Sequence, residues 1–547
     1  MTEHPWWRGA AIYQIYIRSF CDSNGDGHGD LPGLISKLDY IRALGVNAIW
    51  LSPIHPSPNR DWGYDVSDYE GIHPDYGTEA DFDRLLSEAH ARGLKVMTDE
   101  VLAHTSDEHS WFLDSLQRGK KSDWYVWAAP NVDGTAPNNW LSAFGGPAWS
   151  YQPARREHYH HKFLRQQPKL NWRNADAKAA ALAVLEHWLA RGVDGFRLDV
   201  ANAYLHDVSL ADNPAVRMAE RTDFTWGHAA YLQLHQHDSN LPENLSVLDE
   251  IRRTVERWPD RFVMGEFSED PARAGAFAAP EEGLHSGYSF PLLHATKLSP
   301  GFVHMHYNLL ARFPTHWPSV AFSNHDVMRT VSRFGGADPP PELAKLLLAL
   351  LLSIKGTVLL YQGEELGLPE ADIRRDQIRD PVGDLYWPYT GGRDGCRTPM
   401  PWESHAANLG FTSGVPWLPV SPKHRPLAVS EQEGDAESAL KFTRRFLAFR
   451  QRSPALRRGE IAFIDAPPPV LAFTRAYDRD ELICLFNMGP EPAEFTGEVM
   501  TRTKALPIGC GECSVSGDGV GLAPYAAWFG SCSKASSTAS MGSSTQR

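Results

Sequence analysis

The sequence predicts an α/β fold: a (β/α)8 barrel with a subdomain inserted after strand 3 and an antiparallel β domain at the C-terminus. Three observations carry this. Short apolar runs alternate with helical patterns, the beat of a parallel sheet. Three acidic residues far apart in the chain each close such a run: Asp199 in GFRLD, Glu266 in RFVMGE and Asp326 in SVAFSNHD. After about residue 457 the pattern changes to apolar–polar alternation around polar turns.

The first strand is read over 11–20, AIYQIYIRSF. A helix over 31–46 follows, with Leu34, Leu38, Ile41 and Leu44 on one face. NAIWLSP (47–53) is the second strand. The helix over 79–93 stops at a C-cap glycine, and LKVMTDEV (94–101) is the third strand. The rhythm then breaks. Residues 104–172 are rich in aromatics, Gly, Pro and Asn, with no clean helical period. It resumes with a helix over 175–192 and strands ending at Asp199, at Glu266, near Phe290, at Asp326, and over 356–365. A basic helix over 438–456 closes the ring, and 470–477 with 481–488 forms a hairpin. The expected divisions are 1–103 and 173–456 for the barrel, 104–172 for the insert, 457–530 for the β domain, and 531–547 for a disordered Ser/Thr-rich tail.

Composition narrows the function classes. The chain has 547 residues, 42% apolar and 11% aromatic, which suits a large soluble core. The formal net charge is −14 with no basic patch, so nucleic acid is not an expected partner. No apolar run approaches membrane-spanning length, and the N-terminus has no basic segment leading into an apolar stretch, so neither a membrane nor a signal peptide is expected. The six cysteines are scattered, and Cys510 and Cys513 form a lone C-x-x-C without a second pair, which reads as thiols rather than zinc ligands. Together these features predict a cytoplasmic protein.

In a closed parallel barrel the C-terminal ends of all strands meet at one mouth. Asp199, Glu266 and Asp326 would then share a pocket. Paired carboxyl groups suit glycoside chemistry, where a cationic transition state needs one anion and one proton donor.

The motifs resemble those of glycoside hydrolase family 13, the α-amylase superfamily. DEVLAH (99–104), GFRLDVAN (195–202), GEF (265–267) and FSNHD (322–326) match its four conserved regions in order. The resemblance implies a TIM barrel with an inserted subdomain and a C-terminal β domain. It also implies Asp199 as nucleophile, Glu266 as general acid/base and Asp326 as the third carboxylate, which holds sugar hydroxyls. Arg197, two residues before Asp199, shares its strand face and would favour the charged nucleophile. Partial burial and nearby carboxylates would keep Glu266 protonated. A retaining mechanism requires the two carboxyls about 5–5.5 Å apart.

The resemblance further implies that His104 and His325 bond the same glucose. Asp65 and Arg393 would pair at its non-reducing end, and Tyr64 would stack on the ring, a core Tyr being the alternative. Phe144, Phe163 and Gln167 would line the pocket from the insert. The loop DSNGDGHGD (22–30) offers Asp22, Asn24, Asp26, Asp30 and the carbonyl of His28, a donor set for a structural Ca2+, with Mg2+ a second choice and a polar turn the alternative. It is similar to the metal loop of oligo-1,6-glucosidases.

QPKLN (167–171) resembles the fifth conserved region of the α-glucosidase and oligo-1,6-glucosidase branch, but Lys169 stands where Asp is usual. Val200 after the nucleophile points to α-1,6 activity, whereas VANAYLHD and TPMPW are closer to α-1,4-acting, transglucosylating enzymes. The favoured expectation is an exo-acting α-glucosidase on maltose-like donors, with glucosyl transfer to hydroxyl acceptors. Oligo-1,6-glucosidase and isomaltulose synthase are the enzymatic alternatives, and a catalytically dead barrel serving as partner subunit is the non-enzymatic one. Its partners would be small α-glucosides, with the chain a monomer or homodimer.

Overall fold

The computed structural model describes residues 5–217, 232–268, 271–279 and 282–532. Barrel strands β1 (Ala11–Ile15), β2 (Ala48–Leu51) and β3 (Lys95–Glu100) come first. The inserted segment contributes the short strands β4 (Trp127–Ala128), β5 (Trp149–Gln152) and β6 (Glu157–His160). The barrel continues with β7 (Gly195–Leu198), β8 (Phe262–Phe267), β9 (Ser286–Ser289), β10 (Ser319–Ala321) and β11 (Thr357–Tyr361). The eight barrel strands are parallel, in the order β10-β11-β1-β2-β3-β7-β8-β9. At the β9/β10 seam the Ser286 and Ser319 hydroxyls meet at 2.8 Å, so the ring is nearly closed.

Period-2 alternation builds two cores. Ile12, Trp50, Met97 and Met264 fill the barrel interior, while their neighbours Tyr13, Ile49, Val96 and Val263 pack outward against the helices. The same alternation, carried two residues further, sends Asp99 and Glu266 inward at the upper rim, one layer above Met97 and Met264.

Helix ends follow local chemistry. Thr78 and Asp81 form a capping box at the start of Glu79–Ala91. Asn174 caps Ala175–Arg191, which ends at Gly192 with φ 114°. The helix expected over 31–46 is two helices, Leu31–Ser36 and Leu38–Leu44, broken at Lys37. The basic helix likewise splits before Pro454, into Ala439–Arg452 and Pro454–Arg458.

The insert holds more regular structure than its sequence implies. A seven-residue helix, Ser110–Leu116, is too short to show a period, and β5-β6-β4 form a small antiparallel sheet. Their core is aromatic: Phe112 packs edge-on to Tyr125 and Tyr159 and stacks on Trp127.

The C-terminal region adds β12 (Glu460–Ile464), β13 (Val470–Tyr477), β14 (Asp480–Asn487), β15 (Ala493–Thr496), β16 (Thr503–Ala505), β17 (Cys513–Ser516), β18 (Gly519–Leu522) and β19 (Ala527–Cys532). They form two antiparallel sheets, β12-β13-β14-β19-β16 and β15-β18-β17. The β13–β14 hairpin pairs Val470 with Asn487 through Tyr477 with Asp480. Strand β19 carries the chain two residues past the expected boundary at 530. The rest of the expected tail lies outside the described residues. All six cysteines are free thiols. Among the described residues no helix is long and apolar enough to cross a membrane.

Candidate active site

The structure brings Asp199, Glu266 and Asp326 together, by three different routes. Asp199 immediately follows β7. Glu266 lies within β8 rather than at its end. Asp326 sits in the loop five residues beyond β10, which ends at Ala321 instead of running to the acid. Beyond the ladder, Arg397 Nε donates to the His325 carbonyl at 2.7 Å and Arg333 Nη2 to the Phe322 carbonyl.

Arg197 is the centre of the site. Its fully buried guanidinium donates from Nη1 to Asp99 Oδ1 (2.6 Å) and Asp199 Oδ1 (2.9 Å). Its Nη2 lies 2.6 Å from Glu266 Oε1, an ion pair without hydrogen-bond alignment. The two carboxyls expected to act as nucleophile and acid therefore share one cation. The register explains it: Asp99 pairs with Arg197 across β3–β7, and Glu266 with Tyr288 across β8–β9.

Three carboxyls around one guanidinium do not all ionise easily. Burial pushes Asp199 well above the usual carboxylate range, helped by Glu266, Asp99 and Asp326 and opposed by Arg197. Arg197 does favour the charged form, but desolvation and three like charges outweigh one cation. Burial likewise pushes Asp99 up to about 7 against the pull of Arg197. Asp99 and Asp199, both bonded to Arg197 Nη1, therefore favour sharing a proton. Asp326 behaves in the opposite way. Burial opposes its charge, but His325, Arg393 and Arg397 prevail and hold it well below the usual range.

A hydrogen-bonded chain links the pocket floor. Gln14 Nε2 donates to His325 Nδ1 at 2.7 Å, leaving Nε2 as the N–H that meets Tyr64 Oη at 2.5 Å. Tyr64 in turn donates to Asp99 Oδ2 at 3.0 Å. Burial lowers His325 to about 3, so its ring is neutral. The Tyr64 ring stacks on His325 at 5.2 Å and 2°. One face of Tyr64 is therefore covered by protein.

His104 Nε2 donates to the Tyr64 carbonyl at 2.9 Å. Gln167 Nε2 donates to Asp61 Oδ2 and to the same carbonyl. Half-buried Phe163 packs against His104, Phe144 packs edge-on to Phe163, and the Arg393 guanidinium lies 5.1 Å over Phe144. These side chains of the insert thus lie beside His104, Asp61 and Arg393. Val200 has φ 44°, a left-handed conformation unusual for a β-branched residue, and its N–H lies 3.3 Å from Glu266 Oε2.

The expected Asp65–Arg393 pair is not formed. Arg393 donates to Asp61 Oδ1 (2.7 Å), Asp326 Oδ1 (3.1 Å) and Asp380 Oδ1 (2.7 Å). Asp65 instead accepts from the Ser57 hydroxyl and the Arg60 and Asp61 N–H groups, closing its own loop. Both acids lie in NRDWGYD, and neither spacing nor composition says which one turns inward. Asp61, Asp99, Tyr288, Asp380 and Arg397 are the site residues that sequence reasoning missed.

The 22–30 loop is ordered by its own acids. Asp22 accepts from the N–H groups of Asn24, Gly25 and Gly27 and from Thr412, Asn24 from Asp26, Asp26 from His28, and Asp30 from Ser23 and Gly33. The His28 ring is held by Arg18 Nη1 at 2.8 Å, so only its carbonyl is free to face the loop. This oxygen-only donor set is the kind a hard cation takes. Among the described residues no group of three or more His, Cys, Asp or Glu side chains is placed to hold a metal ion.

The chain has counterparts among known proteins. The family described as Alpha amylase, catalytic domain, matches residues 14–459. The chain belongs to the α-amylase family. A probable alpha-glucosidase of Rhizobium meliloti (strain 1021) is 47% identical over 519 residues, covering 92% of each chain. An oligo-1,6-glucosidase of Bacillus cereus is 35% identical, covering 90% of this chain and 92% of that protein. Among solved structures, the alpha-glucosyl transfer enzyme XgtA superposes with a TM-score of 0.94 at 47% identity, over 97% of this chain and all of that one. The trehalulose synthase MutB from Pseudomonas mesoacidophila gives 0.87 at 31% identity, over 96% and 99%.

Proposed function

We propose that this glycoside hydrolase is a retaining, exo-acting α-glucosidase that releases or transfers the non-reducing-end glucosyl unit of maltose-like α-glucosides. The observation that carries the reading is Arg197 holding Asp199 and Glu266 on one guanidinium. Asp199 attacks the anomeric carbon as Glu266 protonates the departing oxygen. The glycosidic bond breaks and a covalent glucosyl-enzyme forms. Glu266, now ionised, takes the proton of water or of an acceptor hydroxyl, which displaces Asp199. Asp326, His325 and His104 hold the glucose hydroxyls, and Arg393 with Asp61 closes the pocket at the non-reducing end.

Transfer competes with hydrolysis wherever an acceptor hydroxyl reaches the glucosyl-enzyme before water, and the aromatic wall of Phe144 and Phe163 favours this. Oligo-1,6-glucosidase activity is the second reading, supported by Val200. Isomaltulose-synthase activity ranks third. The dead-barrel reading loses its ground because all three carboxyls converge. We propose Ca2+ in the 22–30 loop, held by Asp22, Asn24, Asp26, Asp30 and the His28 carbonyl, where it would brace the loop. We further propose a cytoplasmic enzyme, monomeric or homodimeric.

The test is release of p-nitrophenol from its α-glucoside by the native enzyme and by Asp199→Ala, with the anomer followed by NMR. The native enzyme should release α-glucose first, and the variant should lose at least about 10³-fold in rate. Equal rates, or β-glucose as first product, would sink the reading. Initial rates on maltose, isomaltose and sucrose rank the three enzymatic readings. Maltose supplied with a phenolic alcohol should yield the α-glucoside of that alcohol.

A further inference from the structure

Tyr288 is fully inside the barrel, on β9, directly beside Glu266 in the β8–β9 register. Register partners on neighbouring parallel strands point to the same face, so both side chains enter the pocket floor. The Tyr288 hydroxyl is 3.0 Å from Glu266 Oε1 and 3.1 Å from Arg197 Nε.

An arginine N–H can only donate. The Tyr288 oxygen therefore accepts from Arg197, and its single proton is directed to Glu266 Oε1. That oxygen also faces Arg197 Nη2 at 2.6 Å. The Tyr288 proton and the positive charge of Arg197 both bear on Oε1, so a proton on Glu266 is displaced to the other oxygen. Among the described residues Oε2 meets only the Val200 N–H, at a long 3.3 Å.

We infer that Tyr288 is a positioning residue for the acid/base: it pins Oε1 and so assigns Oε2 as the oxygen that hands the proton to the leaving group. This rests on Glu266 being the acid/base. Burial also keeps the phenol well above its ordinary range, so it stays a neutral donor throughout the working pH range. A hydrogen bond to a carboxylate favours its ionised form. Losing the Tyr288 donor would therefore disfavour the ionised carboxylate it faces.

Tyr288→Phe keeps the ring against Trp50 and removes only the hydroxyl. The alkaline limb of kcat/KM on maltose should move up by about one pH unit. The rate on maltose should fall about 10-fold or more, while p-nitrophenyl α-glucoside, whose leaving group departs without a proton, should lose much less. Placing 3-fluorotyrosine at position 288 keeps the fold and strengthens the donor, and should move the limb the other way; it decides the matter if the Phe variant does not fold. An unmoved limb in either folded variant, or equal losses on both substrates, overturns the inference. Glu266→Gln is run beside them: if it kept the native rate on maltose, the acid/base reading itself would fail, a result distinct from an unmoved limb.

Discussion

Arg393 Nη2 donates to Asp61 Oδ1 at 2.7 Å, joining residues 332 positions apart in the chain. The same guanidinium reaches Asp326, so the pocket's outer end and its third carboxylate are one charged unit. Burial pushes the Asp61 carboxyl up, and Arg393 opposes it. Asp61→Asn keeps the shape and removes the charge. The KM for maltose should rise about 10-fold or more, the scale of a charged hydrogen bond. Asp65→Asn should instead lower the melting temperature, because Asp65 anchors three donors of its own loop, with a smaller change in KM. A larger KM effect at Asp65 than at Asp61 would contradict the geometry.

Arg197 is the only guanidinium bonded to both Asp99 and Asp199 among the described residues, and it is completely buried. Removing it leaves up to three carboxyls without a counter-ion, which costs about 3–5 kcal/mol for a broken buried pair. Arg197→Lys keeps the charge and loses the planar fork. The variant should fold with a lowered melting temperature and lose about 100-fold or more in kcat. A kcat near the native value would show that the fork does not set the geometry of Asp199 and Glu266.

Much of this was legible in the chain. Each carboxyl of the triad sits at or just beyond a strand, and a strand face repeats every two residues, so Asp199 and Arg197 could be placed side by side without coordinates. Asp326 was legible only as a member of the cluster: its true position depends on Arg397, which returns from the loop after the eighth barrel strand. The Asp61/Asp65 choice failed because a loop has no period to decide which of two nearby acids faces inward. Tyr288 gave no local signal at all, since its role exists only through the β8–β9 register. The insert's short strands were hidden because their core is aromatic and built from pairs distant in sequence.

The 22–30 loop makes a prediction about metal. Gly27, at φ 95°, lies so close to the Val415 carbonyl that a side chain there would collide with it, so the loop is braced against the 412–415 segment. An ion bound only by the folded loop stabilises it by mass action. EDTA should lower the melting temperature by a few degrees, and Ca2+ should restore it better than Mg2+. Asp26→Ala should remove that response while leaving kcat nearly unchanged. An EDTA-insensitive melting curve would favour the polar turn.

Lys169 carries the last prediction. Its ammonium is buried and donates to the carbonyl of Ala203, in the loop that follows the nucleophile. Burial lowers it to about 7, with Lys162 adding to the fall and Asp238 opposing it. Unfolded lysine titrates near 10.4. Between about pH 7 and 10.4 the unfolded chain binds more protons than the folded one, so stability from this group rises with pH across that window. Below pH 7 the full penalty of burying the charge is present. Lys169→Met fills similar volume without a charge. Its advantage in melting temperature over the native enzyme should be largest at pH 6–7 and shrink towards pH 10, a change of a few kcal/mol. The lost bond to Ala203 acts at every pH and shifts both ends of the comparison equally. The same gap at pH 6 and pH 10 would mean that Lys169 is charged and compensated in the fold, and that its place beside the nucleophile loop carries no pH dependence.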